Sequence, residues 1–462
     1  MRGSHFFPTL SPMTTAIHPE LIVSVSGIRG IVGRSLSPQA ATTFAAALGT
    51  FTTGGRIVVS RDSRPSGPML RHAVIAGLLS AGCSVEDIGI AATPTCGLAV
   101  RHLGASGGVQ ITASHNPAPW NGLKLFGPDG AVLSAEQGSQ VRALFESGEV
   151  NAVGWDQIRS VGAPPDINEE HARLVCDAVG VSAIHAAGFR VLVDGNGGAG
   201  GPLATHLLRL LGCEVVEHAC DPDGHFVHEA EPVPAHLIEV GPLVPRCEAA
   251  VGFVLDPDAD RLALIDEEGR CVSEELTLAL AVEHRLKQQR GPVVVNMSTS
   301  RVIEDIAKQA GCAFHRSAVG EANVVTGMRA VGAVIGGEGN GGVIDPRIGW
   351  VRDPFIGMAM ILQLMAETKK TLGQLVAALP AYAMLKTKVT VARERLPSAL
   401  VALEQRFADA TRNVVDGLRL DWADRWLHVR ASNTEPIVRI IAEAPTATEA
   451  EALCSAAAAC LA

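Results

Sequence analysis

One supersecondary unit recurs three times along this chain, and that recurrence constrains the fold more than any single motif does. The first copy opens with the apolar strand Ile57-Val58-Val59-Ser60 and a polar loop, Arg61 to Pro68. It continues through a helix ending at Ala81-Gly82-Cys83 to a second strand, Ser84 to Ile88. The second copy starts at Val191-Leu192-Val193-Asp194, with its loop at Gly195 to Gly201 and its helix at Pro202 to Leu211. Gly212-Cys213 and the strand Val215-Val216 follow. The third runs Val293-Val294-Val295-Asn296, helix Val302 to Ala310, Gly311-Cys312, then Ala313-Phe314. A glycine stands just past each helix, where a left-handed residue ends the helix and returns the chain to the sheet. Short continuous apolar strands alternating with helices predict parallel sheet covered on both faces.

From about Tyr382 the pattern changes. Alternating Leu385-Lys386-Thr387-Lys388-Val389-Thr390-Val391 precedes a helix and the strands Leu427 to Arg430 and Ile437 to Ile441. The expected class is therefore α/β: three similar domains with mixed, mostly parallel sheets, plus a smaller C-terminal α+β domain around a central cleft. The boundaries are placed at 13–165, 166–268, 269–378 and 379–462. A chain of 462 residues is too long for one ordinary core, which agrees with several domains. Met1 to Pro12 do not read as core, and Met13 is a candidate start.

A formal charge of −10 argues against a nucleic-acid partner, because nothing here neutralises a run of phosphates. Cations are nonetheless concentrated in loops rich in Gly, Ser or Pro: Arg29, Arg61, Arg64, Lys124, Arg261, Arg430 and Arg439. Such clusters suit small anions. The ten cysteines are scattered without a CxxC, and read as reduced thiols of a cytoplasmic protein. No apolar run reaches membrane-spanning length; the best candidate, Pro354 to Ala366, is too short. No membrane partner is expected.

Each repeat leads to a polar loop behind a strand, where α/β folds place ligands. Thr112-Ala113-Ser114-His115-Asn116-Pro117 puts a serine and a histidine in a loop closed by proline. A neighbouring base or metal can make a serine a nucleophile, although Ser-His-Asn-Pro alone also suits a plain turn. In Asp256-Pro257-Asp258-Ala259-Asp260-Arg261, three alternate carboxylates can converge on a hard divalent cation. An EF-hand is excluded, since Arg261 takes the place where its turn needs glycine and Leu262 to Ile265 reads as strand. Gly337-Glu338-Gly339-Asn340-Gly341 offers a carboxylate and an amide to sugar hydroxyls, or is simply a glycine-rich turn. Arg430-Ala431-Ser432-Asn433-Thr434 could clamp a phosphate through its guanidinium and amides, or merely join two strands. One rival remains. Gly195-Asn196-Gly197-Gly198-Ala199-Gly200 matches the dinucleotide-binding G-x-G-x-x-G, with Glu217 at the end of the next strand, and keeps an NAD(P)-dependent oxidoreductase open.

Taken in order, the four loops resemble those of the α-D-phosphohexomutase family, which includes phosphoglucomutase/phosphomannomutase and phosphoglucosamine mutase. Ser26-Gly27-Ile28-Arg29-Gly30, Arg61-Asp62-Ser63-Arg64-Pro65-Ser66 and Asn121-Gly122-Leu123-Lys124 match further family signatures. Two positions depart from the pattern: Ser24-Val25 replaces the commoner Phe-Gly, and Asn340 replaces a serine with no histidine soon after Gly341. The resemblance implies interconversion of hexose 6-phosphate and hexose 1-phosphate through a phosphoserine and a hexose 1,6-bisphosphate, which also serves as activator. Phosphoglucosamine mutase is the reading put first, with phosphomannomutase/phosphoglucomutase as the alternative. It further implies one Mg²⁺ per active site on Asp256, Asp258, Asp260 and Ser114. Arg29, His115 and Lys124 would work around Ser114; a Lys124 acting as base would need a lowered pKa. Arg261, Glu338, Asn340, Arg430, Ser432, Asn433, Thr434 and Arg439 would hold the sugar phosphate. The expected partners are small sugar phosphates, and the expected state is a monomer or homodimer.

Overall fold

The computed structural model describes residues 17–391, 395–431 and 437–461. The first sheet contains β1 (Ile22–Ser24), β2 (Gly27–Ile31), β3 (Arg56–Arg61), β4 (Ser84–Ile90), β5 (Gly107–Ile111), β6 (Trp120–Phe126) and β7 (Val161–Gly162), ordered β1-β2-β6-β5-β3-β4-β7. The second contains β8 (Arg190–Asp194), β9 (Glu214–His218), β10 (Val251–Leu255), β11 (Leu262–Ile265) and β12 (Cys271–Val272), ordered β12-β11-β10-β8-β9. The third contains β13 (Val293–Asn296), β14 (Phe314–Ser317), β15 (Ile335–Glu338) and β16 (Gly342–Ile344), ordered β14-β13-β15-β16. The fourth, wholly antiparallel, contains β17 (Ala383–Val389), β18 (Thr411–Asn413), β19 (Leu418–Asp421), β20 (Trp426–Ala431) and β21 (Val438–Ala444), ordered β17-β21-β20-β19-β18.

The first three sheets repeat one topology. A central strand (β3, β8 or β13) pairs in parallel with the next strand on one side and with a third strand (β5, β10 or β15) on the other. The third strand then turns back into an antiparallel partner, β6, β11 or β16. Each of the loops containing Ser114, Asp256–Asp260 and Glu338–Gly341 occupies that same third-to-fourth-strand turn. The helix-ending glycines Gly82, Gly212 and Gly311 have φ of +79°, +84° and +65°, the left-handed geometry that a helix exit of this kind requires.

One core joins the second and third units. It gathers Val191, Phe253 and Leu264 with Val293, Val295 and Ile335 around the helix Pro354–Thr368, whose Phe355, Ile356, Met358 and Ile361 are all buried. That helix is apolar on every side because protein surrounds it. Asp353 caps it, accepting from the Phe355 N–H at 2.8 Å. The first unit and the C-terminal unit have cores of their own. Among the described residues, no helix is long and apolar enough to cross a membrane. All ten cysteines are free thiols.

The glycine-rich loop after β8 is filled by protein. A β-carbon on Gly198 would stand 2.8 Å from Pro257, and one on Gly200 would stand 2.5 Å from the Ala259 β-carbon. The Ala199 N–H donates to the Pro257 carbonyl at 2.8 Å. These glycines bring one backbone against another, the Asp256–Asp260 loop, and leave no groove there for a dinucleotide pyrophosphate. The oxidoreductase alternative loses its site.

Candidate active site

Ser114 sits just beyond β5, buried, with φ of +50°. The conformation is held from below by Arg64. Its Nε donates to Asp62 at 3.0 Å, one terminal nitrogen to the carbonyls of Ser114 and Asn116 at 2.7 Å each, and the other to those of Pro117 and Trp120 at 2.8 and 3.0 Å. All five guanidinium donors are therefore spent, four of them on the serine loop. Asp62 also accepts from the Thr112 hydroxyl at 2.7 Å, and Thr112 Oγ1 accepts the Ser114 N–H at 2.8 Å. Phe226, from the second unit, lies 5.1 Å from the Arg64 guanidinium.

Facing Ser114 are Asp256, Asp258 and Asp260, each with a carboxylate oxygen within 4.8 Å of the others and each fully buried. The division of labour within each carboxylate is regular. Asp256 Oδ1 accepts the N–H groups of Asp260 and Arg261 at 3.0 and 3.1 Å, while Oδ2 stands 3.4 Å from Ser114 Oγ. Asp258 Oδ2 accepts from the Thr93 hydroxyl at 2.6 Å and lies 3.4 Å from Lys124 Nζ; its Oδ1 has no partner. Asp260 Oδ2 takes Lys124 Nζ at 2.7 Å and Arg352 at 2.5 Å; its Oδ1 has no hydrogen bond and lies 3.9 Å from Arg261 Nε. Burial, with the charges of Asp258 and Asp260, pushes the Asp256 carboxyl well above the usual carboxylate range. Burial would raise Asp260 too, but Arg352, Lys124 and Arg261 outweigh it and hold that carboxyl low. Three buried carboxylates with an oxygen apiece within 4.8 Å of the others, two of them with an oxygen that no hydrogen bond uses, are what a hard divalent cation needs. The donor set fits Mg²⁺.

His115 Nδ1 is 3.3 Å from Ser114 Oγ. The Arg261 charge, then burial and Arg29, lower its pKa to about 2, so the ring is neutral. Lys124 departs from the expectation of a lowered pKa. Burial acts in that direction, but Asp260, Asp258 and Glu321 outweigh it and keep the ammonium protonated. Arg29 donates to Asn116 Oδ1 at 3.1 Å, and Arg261 pairs with Glu231 at 2.9 Å.

Glu338, at the end of β15, is engaged on both oxygens. Oε1 accepts from Asn296 at 2.8 Å and from the Gly320 N–H at 3.1 Å, and Oε2 takes Arg352 at 2.8 Å. Asn340 Oδ1 is buried without a partner. Arg430 donates through Nε to Asp416 at 3.1 Å. Arg439 lies directly across β20 and β21 from Arg430, which sets both side chains on one face. Ser432, Asn433 and Thr434 lie outside the described residues. Arg352, Glu321, Thr93, Glu231 and Asp416 escaped the sequence reading, because each is recruited from a segment with no motif of its own.

Comparison with known proteins bears directly on this arrangement. The family description "Phosphoglucomutase/phosphomannomutase, alpha/beta/alpha domain I" matches residues 21–152, domain II matches 169–269, domain III 274–382, and the C-terminal domain 387–459. The chain belongs to the phosphoglucomutase/phosphomannomutase family. It is thereby a phosphosugar mutase, an isomerase. A probable phosphoglucosamine mutase of Methanopyrus kandleri is 36% identical over 93% of this chain and 95% of its own length. A phosphoglucomutase/phosphomannomutase of Thermococcus kodakarensis is 38% identical, over 92% and 94%. A crystal structure of a phosphoglucomutase/phosphomannomutase family protein from Burkholderia thailandensis superimposes with a TM-score of 0.84 at 26% identity, covering 95% of this chain and 96% of that one.

Proposed function

We propose that this mutase interconverts hexose 6-phosphate and hexose 1-phosphate through phosphorylated Ser114, with glucosamine phosphate as the first candidate sugar and mannose or glucose phosphate as the alternative. The observation that carries the mechanism is the serine hydroxyl, fixed in a left-handed turn, 3.4 Å from Asp256 of a buried triad of carboxylates. The phosphoryl group leaves Ser114 Oγ for a sugar hydroxyl, whose proton is lost, giving a hexose 1,6-bisphosphate. After the sugar turns over, its other phosphoryl group returns to Oγ.

Asp256, Asp258 and Asp260, with Ser114, would hold one Mg²⁺, which when bound neutralises charge on the transferring oxygens. Lys124, held as a cation, stabilises that same charge. His115 is the neutral hydrogen-bonding group at Oγ and the candidate to handle the hydroxyl proton; a dianionic phosphoserine would offset Arg261 and Arg29 and make it more basic. Arg29 and Arg261 complete the positive surround. Glu338 and Asn340 would meet sugar hydroxyls, although Glu338 has little acceptor capacity left. Arg430 and Arg439, with Ser432, Asn433 and Thr434, would grip the phosphate that is not reacting. The binding partners are sugar phosphates, and the proposed state is a monomer or homodimer in the cytoplasm.

Intact-mass measurement on the purified protein tests the mechanism: a phosphorylated fraction is expected, absent from Ser114→Ala, which should have no mutase turnover. Wild-type turnover in that variant would sink the proposal. Coupled assays across glucosamine, N-acetylglucosamine, glucose and mannose phosphates identify the sugar, and free phosphate release would point to a phosphatase instead.

A further inference from the structure

Arg352 lies in the segment between β16 and the helix Pro354–Thr368, a short way beyond the sugar loop and 92 residues from Asp260 of the metal loop. Its side chain nevertheless reaches the metal loop and the sugar loop together. One terminal nitrogen donates to Asp260 Oδ2 at 2.5 Å and the other to Glu338 Oε2 at 2.8 Å. Its own N–H is anchored, donating to Glu321 Oε1 at 2.7 Å. The path is built for it: a β-carbon on Gly342 would stand 2.3 Å from Arg352 Cδ. The side chain is 9% exposed, so the guanidinium acts in a low-dielectric setting where charge and fork geometry both count.

Two consequences follow from where those bonds fall. Lys124 and Arg352 both bind the same oxygen of Asp260. That fixes the carboxylate and leaves Oδ1, which has no hydrogen bond and only the Arg261 guanidinium 3.9 Å away, as the one offered to a cation. The guanidinium also places a permanent positive charge beside a triad of negative ones, which opposes the entry of a divalent ion. We propose that Arg352 is a positioning residue for phosphoryl transfer, locking Asp260 and Glu338 into one unit while weakening the triad's grip on the metal. This rests on reading the triad as a metal site. Charge and geometry are separable functions here, since lysine keeps the first and loses the planar fork.

The test titrates Mn²⁺ into the purified full chain and its variants by electron paramagnetic resonance, alongside kcat, KM and thermal melting. Arg352→Gln is expected to bind Mn²⁺ about 3–10-fold more tightly, because a nearby cation has gone, and to turn over roughly 10–100-fold more slowly, because Asp260 and Glu338 are no longer held together. Arg352→Lys should return Mn²⁺ affinity to the wild-type value while leaving kcat depressed. A residue that only supports the fold would instead weaken Mn²⁺ binding in step with the melting temperature, and that result overturns the proposal. If Arg352→Gln does not fold, Arg352→Lys decides alone: wild-type kcat in it overturns the positioning role. Absence of Mn²⁺ uptake by the wild-type chain would overturn the metal-site reading itself, whereas uptake unaffected by Arg352→Gln overturns only the role of Arg352. Combining Arg352→Gln with Glu338→Gln should lower kcat less than the product of the single effects, and full additivity would contradict the shared unit.

Discussion

Ser114 adopts a backbone conformation that a β-carbon disfavours by roughly 1 kcal/mol, and Ala259 in the metal loop does the same, with φ of +49°. Strain of this kind persists only where surrounding contacts over-determine it. At Ser114 those contacts are the four carbonyls bound by Arg64, so Arg64, with every guanidinium donor spent, aims the proposed phosphoryl carrier. Replacing Arg64 with lysine keeps the charge opposite Asp62 but loses most of the carbonyl bonds. The expected result is a loss of roughly 2–4 kcal/mol in stability, with kcat down about 10–100-fold and KM for the hexose phosphate near its wild-type value. The rate at which hexose bisphosphate phosphorylates Ser114, followed by intact mass, should fall with kcat. A folded Arg64→Lys protein with unchanged phosphorylation rate would show that the serine turn holds its shape unaided.

The turn between third and fourth strands carries the proposed site residues in each of the first three units, and its placement is readable in the sequence. Apolar runs at Ile57, Val191 and Val293 announced central strands, and Gly82, Gly212 and Gly311 announced helix exits. The polar run after each third strand then had to fall at the sheet's carboxyl edge. What could not be read was the packing of one loop on another. Gly195 to Gly200 imitates a nucleotide loop because close approach of backbone to pyrophosphate and of backbone to Pro257 demand the same missing side chains. Arg352 and Asp416 were illegible for a different reason: they act on Asp260 and Arg430 across folds of the chain that no periodicity records. The glycine argument makes its own prediction. Gly198→Ala should push Pro257 outward at a cost of about 1–3 kcal/mol and displace the carboxylates. Mn²⁺ affinity should therefore fall while the circular dichroism of the folded state is kept. Neither the wild type nor the variant should take up NADH in a fluorescence titration; tight NADH binding by the wild type would reinstate a nucleotide groove.

At the scale of the whole molecule, the third unit and the C-terminal unit meet, among the described residues, through polar groups rather than through a shared buried core. Glu443 accepts from the Arg301 N–H at 2.9 Å and from Trp426 Nε1 at 2.6 Å, and Arg419 donates to the Met297 carbonyl. Asp416, besides holding Arg430, accepts the Val319 N–H at 2.9 Å. His428 sits within this joint, fully buried, its Nε2 donating to the Asp416 carbonyl at 2.6 Å and its Nδ1 3.0 Å from Ser298 Oγ. A carbonyl can only accept, so Nε2 carries the proton and Nδ1 is left to accept from the serine hydroxyl. Burial holds the imidazole neutral, with its pKa lowered to about 4. The depressed value fixes the sign. In the unfolded chain the ring takes up a proton near pH 6.5, so the stability His428 contributes is present above that pH and drains away as pH falls toward 4. Between pH 7.5 and 5 the loss amounts to about 2 kcal/mol. His428→Gln keeps a donor and an acceptor but cannot titrate, so its melting temperature should fall less steeply over that range than the wild type's. Because the joint can open without unfolding every domain, the same contrast should appear locally, as faster wild-type amide exchange in β20 at pH 5 after correction for intrinsic rates. Parallel acid slopes in the two proteins would mean that the joint is held by its carboxylates and guanidinium groups alone, with His428 a bystander to its pH dependence.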